Sequence, residues 1–121
     1  MKNIDLPVDF DTGKIVQLYI DGQPRLIGDN SAKDKYHSDL LEEILRKEGI
    51  RNFPTIQLDS IPVSVPALTD GERYIVVGMG VCQKFKNVYS FDGLSMDYGI
   101  GIDTKHLEDL QTLNPEARFI S

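Results

Sequence analysis

Between residues 36 and 48 the apolar side chains recur at helical spacing, and this segment sets terms for the rest of the chain. Wound at about 100° per residue, Tyr36, Leu40, Leu41, Ile44 and Leu45 fall on one half of a cylinder. Asp39, Glu42, Glu43 and Arg46 lie mostly on the other half. The spacing predicts an amphipathic helix, with Ser31 or Asp34 able to cap its start and Gly49, after Arg46-Lys47, marking its stop. A helix with one apolar face needs an apolar surface to bury it against.

The flanking segments read as the strands that supply that surface. Residues 14–20 (KIVQLYI) are rich in β-branched and aromatic types. Asp21-Gly22 follows, a hairpin signal between two apolar runs, with 25–27 as the return strand. Short strands are expected at 55–58 and 61–65, the second pushed toward an edge by Pro62 and Pro66. Residues 73–77 (RYIVV) are the central-strand candidate, and Lys86-Asn87 turns the chain into 88–91. Asp103 is placed to cap a second helix carrying Leu107, Leu110 and Leu113, closed by Asn114-Pro115, before a last strand at 118–120. The expected fold is α/β of the α+β type: one domain over 1–121, a mostly antiparallel or mixed sheet of about six strands with two helices packed on it.

Composition narrows the function classes. Thirteen Lys plus Arg against nineteen Asp plus Glu give a net charge of −6, with the signs interspersed. No basic stripe is present to neutralise phosphates along a duplex, so no nucleic-acid partner is expected. No apolar run approaches the roughly 20 residues that span a bilayer, and no signal peptide is recognisable, so no membrane association is expected and the cytoplasm is the expected compartment. One cysteine, Cys82, excludes an intramolecular disulfide.

Several short motifs carry little. Asp11-Thr12-Gly13 is followed by Lys14 rather than the Ser or Ala of an aspartic protease. Gly78-Met79-Gly80 has Gln83 where a dinucleotide fingerprint needs its third glycine. Asp9 and Asp11 have no glutamate at the distance of a calcium loop. Cys82 has no local base and reads as a structural thiol. His106, among polar residues, reads as a surface side chain. His37 and His106 make no metal-ligand spacing, and no metal or cofactor is expected.

His37 stands apart. On the wheel it lies between Ile44 and Leu41, on the apolar face and within a turn of the helix start. Unpaired amides and the positive dipole end there bind anions. The same end lowers a histidine's pKa and keeps its ring a proton acceptor near neutral pH. The alternative is a core histidine whose ring is hydrogen-bonded.

Tyr36-His37-Ser38-Asp39 at a helix start, then Ser95-Met96-Asp97-Tyr98-Gly99 and a capped C-terminal helix, resemble the Janus/Ocnus family, which contains the small phosphohistidine phosphatases. The likeness spans nearly the whole chain. It implies His37 as the catalytic histidine and Lys14 as the lysine that pairs with phosphate. It also implies Ser38 and the backbone of Ser95, Met96 and Asp97 as the cradle for the phosphoryl oxygens. Two positions depart from the pattern: the family's Gly-Gly-Gly-Arg-Ile segment is matched only by Gly78-Met79-Gly80-Val81, without the arginine, and Asp97 replaces a small neutral residue. Residues 51–72 have no clear counterpart.

The resemblance implies a metal-independent phosphohydrolase that removes phosphoryl groups from nitrogen, with His37 as general base or nucleophile. Its partner would be a phosphorylated protein or a small phosphoramidate, and the chain a monomer. The alternatives are a non-catalytic phosphate- or protein-binding module on the same fold, and an interaction domain in which His37 is merely packed. Asp97 either swings to solvent, as loop aspartates usually do, or pairs with Lys14 and fills the phosphate site. Solvent is the expectation.

Overall fold

The computed structural model describes residues 2–30, 35–59 and 62–121. The proposed caps Ser31 and Asp34, and Ile61 of the fourth expected strand, lie outside these residues. In chain order the elements are β1 (Ile4–Asp5), β2 (Thr12–Ile20), β3 (Gln23–Asp29), α1 (His37–Lys47), β4 (Thr55–Gln57), β5 (Ser64–Pro66), β6 (Tyr74–Phe85), β7 (Val88–Asp92), α2 (Thr104–Leu113) and β8 (Arg118–Ile120). Six strands form one mixed sheet in the order β1-β3-β2-β6-β7-β8. The inner pairings are antiparallel, and the two outer ones, β1 with β3 and β7 with β8, are parallel. The fold is α+β. Strands β4 and β5 do not join that sheet; they pair with each other. Among the described residues no helix is long and apolar enough to cross a membrane.

Asp21 and Gly22 join β2 to β3 with φ of 50° and 81°, the two positive values a type I′ hairpin turn requires. The hairpin sets Val16 opposite Ile27 and Gln17 opposite Leu26. Side chains alternate across a strand, so the two faces bury different sets. Val16, Leu18, Ile20 and Ile27 pack with Leu40, Leu41, Ile44 and Leu45 of α1. Ile15 and Leu26 pack with Leu107 and Leu110 of α2, together with Cys82 and Phe91. The helices therefore cover opposite faces.

The central strand β6 runs well beyond the 73–77 read from the sequence. Its register against β2 shifts between Gln17 and Leu18, which pair with Gly78 and Val76. Val77 is the extra residue of this bulge, and it switches the parity of the strand. Tyr74 and Val76 face α1 before it, and Met79 does so after it. Gly78 and Gly80 fall on the other face, where a Cβ at Gly78 would lie 2.1 Å from Gln17 Oε1 and one at Gly80 2.6 Å from Ile102 Cδ1. These glycines are there for close packing.

His106 is fully buried, not at the surface as expected from its neighbours. Leu110 lies four residues on, on the same helical face, so the ring points at the sheet. Its Nε2 meets the carbonyl of Leu18 at 3.0 Å and its Nδ1 meets Gln17 Nε2 at 3.2 Å. Gln17 Nε2 also donates to the Asp103 carbonyl at 2.9 Å, and Gln17 Oε1 accepts from the Asp103 amide at 2.8 Å. Asp103 caps α2 by accepting from the His106 amide at 2.8 Å. A carbonyl only accepts, so the ring carries its proton on Nε2. The network pins the start of α2 to the middle of β2.

Candidate functional site

Helix α1 begins at His37 with Tyr36 as its N-cap residue; the Tyr36 amide donates to Asp39 Oδ2 at 3.1 Å. Asp39 closes the first turn, as a residue three past the cap does in a capping box. That leaves the next amides of the turn directed out of the helix end.

His37, only 2 % exposed, reaches β6, where its Nε2 meets the Gly80 carbonyl at 3.0 Å. Nε2 therefore donates, and Nδ1 keeps the ring's lone pair. Burial lowers the pKa of the ring. The Gly80 bond and the Asp97 charge oppose that, while Lys14 reinforces it, and the net direction is downward. The ring is neutral at pH 7.

The Ser38 amide donates to Asp97 Oδ2 at 2.9 Å. The other oxygen of this carboxylate accepts from the Ser95 hydroxyl and from the Tyr98 amide at 3.2 Å. The loop that delivers it is closed by Ser95 N to Ile100 O at 2.8 Å and Gly99 N to Ser95 O at 2.9 Å. Gly99 supplies a φ of 74° at the turn. Asp97 is 8 % exposed. Burial raises its pKa, but the hydrogen bonds from Ser95 and Ser38 outweigh that and hold it below the ordinary carboxylate value. An ionised carboxylate thus sits on the helix start.

This corrects the expectation that Asp97 is solvated. A surface aspartate keeps its charge in water; this one exchanges water for an amide at the positive end of a helix and a hydroxyl two residues back. It does so without Lys14. The Lys14 ammonium donates to the Lys35 carbonyl and lies 5.9 Å from the centre of the Tyr36 ring. Lys14 stands opposite Val81 in the β2–β6 register, beside Gly80.

Five of the six residues singled out in the sequence therefore converge on one end of α1: His37 and Ser38 on the helix, Ser95 and Asp97 on the loop, and Lys14 on β2. Met96 belongs to the same loop and is 83 % exposed, and the Ser95 amide, expected in the phosphoryl cradle, instead donates within the loop to the Ile100 carbonyl at 2.8 Å. Sequence reasoning missed the Gly80 carbonyl that orients the His37 ring; no side-chain pattern encodes a backbone acceptor. It also missed a cleft of about 360 Å3 between α1 and the β4–β5 hairpin, lined by Tyr36, Ser38, Glu42, Val63, Ser64 and Pro66 among others.

The other reactive groups stand away from this end. Cys82 is buried on the α2 face, and burial pushes its thiol up to about 12. His106 lies on that face too, its ring fully engaged. Among the described residues no group of His, Cys, Asp or Glu is placed to hold a metal ion. No protein-family profile matches this chain, and no curated protein matches it.

Proposed function

We propose that this chain handles phosphoryl groups at the start of α1, as a metal-independent phosphohydrolase acting on a phosphoryl group bound to nitrogen, in the manner of the phosphohistidine phosphatases it resembles. The observation that carries this reading is the seat of the Asp97 carboxylate. A buried anion held by the Ser38 amide, with a neutral histidine that feels both its charge and that of Lys14, marks a place suited to phosphoryl oxygens. For substrate to enter, Asp97 gives up the Ser38 amide and the oxygens take it, with Lys14 turning from the Lys35 carbonyl toward them.

A phosphorus–nitrogen bond to imidazole is labile, so positioning and charge stabilisation supply most of the catalysis. Two balanced routes fit His37. In one, Nδ1 takes a proton from water as the water oxygen bonds to phosphorus, the substrate's P–N bond breaks with its electron pair going to the departing nitrogen, and the proton passes from Nδ1 to that nitrogen. In the other, Nδ1 itself bonds to phosphorus as that P–N bond breaks, and water then hydrolyses the phosphorylated enzyme. The substrate is a histidine-phosphorylated protein or a small phosphoramidate, met by a monomer in the cytoplasm.

A second reading is a non-catalytic module that keeps the anion seat without turnover. It is favoured by the same carboxylate, held by three partners, and by Val81 where the resembled family has arginine.

Inorganic phosphate is the test. At millimolar concentration it is expected to shift the amides of His37, Ser38 and Ser95 to Asp97 together. Asp97→Ala removes the competing anion and is expected to tighten phosphate binding by about tenfold or more, equivalent to about 1.4 kcal/mol. It also removes a helix-end partner, costing about 1 kcal/mol of stability that phosphate restores as a rise in Tm. Phosphate affinity unchanged or weakened in Asp97→Ala would show that the carboxylate does not stand in an anion site. Binding without hydrolysis of phosphoramidate selects the second reading.

A further inference from the structure

Residues 51–72, the stretch without a counterpart in the resemblance, carry the β4–β5 hairpin, and this hairpin walls the cleft beside α1. On the α1 side the cleft is lined by Ser38, whose amide holds the Asp97 carboxylate, and by Asp39 and Glu42. Among the described residues, those two carboxylates are the charged side chains of its lining, with no lysine or arginine beside them. Glu42 meets Arg46 at 3.5 Å with both side chains about half exposed, a screened pair that leaves Glu42 open to another cation. Tyr36 and Val63, each 61 % exposed, offer apolar surface at its edges.

We infer that this cleft receives a lysine or arginine side chain of a polypeptide substrate, two positions from the phosphorylated histidine. The inference rests on the phosphoryl-binding reading and gives that site its substrate class. Ser38 and Glu42 are four residues apart on the helix, so their side chains are neighbours about 6 Å apart. In an extended peptide, residues two apart point to the same side at about 6.6 to 6.8 Å. A peptide with its phosphoryl group at the Ser38 amide therefore has the side chain two positions away within reach of Glu42. A lysine or arginine meets the chemistry there, its stem against Tyr36 and Val63 and its charge at the carboxylates. A glutamate at that position brings like charges together.

Amide NMR with unphosphorylated peptides reads the cleft separately from the anion seat. The probes are a short histidine peptide with lysine two positions to either side and its counterpart with glutamate at those positions. The lysine peptide is expected to shift Glu42, Val63 and Ser64 and to bind about tenfold more tightly, attraction being replaced by repulsion in the counterpart. Glu42→Gln is expected to cut that preference several-fold. Equal binding of the two peptides, or shifts that avoid the cleft, would overturn the inference. Inorganic phosphate failing to shift Ser38 in the parent would instead remove the reading on which it rests.

Discussion

Replacing His37 with alanine is expected to reduce hydrolysis of phosphoramidate, or of a histidine-phosphorylated peptide, by at least about 100-fold, the lower end of what a positioned acid–base group contributes. Both routes open to the ring need its Nδ1 lone pair, as proton acceptor or as nucleophile. The ring is also buried and bonded to Gly80, so alanine additionally loosens the helix start. His37→Gln separates the two effects: its amide nitrogen keeps a donor for the Gly80 carbonyl but offers no base. It is expected to fold as the parent does and to be equally inactive. Lys14→Ala is expected to weaken phosphate binding and slow turnover, one charge-assisted contact being lost. A parent-like rate in His37→Gln would rule out this histidine as the reacting group.

The second large effect falls on stability and on the opposite face of the sheet. His106→Ala is expected to lower the free energy of unfolding by about 2 to 4 kcal/mol, measured by urea denaturation. It leaves a cavity and strips partners from the Gln17 amide and the Leu18 carbonyl, which stay buried. The same ring makes stability depend on pH. Burial lowers the pKa of both His106 and His37 below 6.5. Above that value both states hold neutral rings and the contribution is complete. Below it the unfolded chain binds protons first, so stability falls as pH drops, until the folded-state pKa values are passed. The urea midpoint is expected to fall between about pH 7 and pH 5.5, less steeply in His106→Ala. A midpoint flat across that range would contradict neutral buried rings.

The fold was legible where local chemistry and tertiary packing agree. Asp21-Gly22 needs two positive φ values and has them; the stripe of Leu40, Leu41, Ile44 and Leu45 needs an apolar sheet and finds one. Legibility failed where a residue serves a partner distant in sequence. Gly78 and Gly80 look like strand breakers, yet they sit within the longest strand because Gln17 and Ile102 need their space. His106 looked polar and exposed because its partners, Gln17 and Leu18, lie nearly ninety residues away. The same holds at the site. The clustering of Lys14, His37, Ser38 and Ser95 was read through resemblance. The seat of Asp97 on the Ser38 amide depends on a contact across 59 positions, which loop propensity does not encode.

The sheet's outer strands have a consequence for how these molecules behave toward one another. β1 is two residues long and β8 three, so each rim offers little backbone for a neighbouring chain to pair with. Behind β8 lies β7, whose Tyr89 and Phe91 are buried while Ser90 and Asp92 are exposed, an alternation suited to templating further strands. Its backbone is shielded by the register Val88–Arg118, Tyr89–Phe119 and Ser90–Ile120, with Phe119 stacked on Tyr89 at 5.2 Å. Resistance to fibril-like self-association on that side of the sheet therefore depends on three residues and one ring, and displacing them would expose the β7 edge as a surface for further strands.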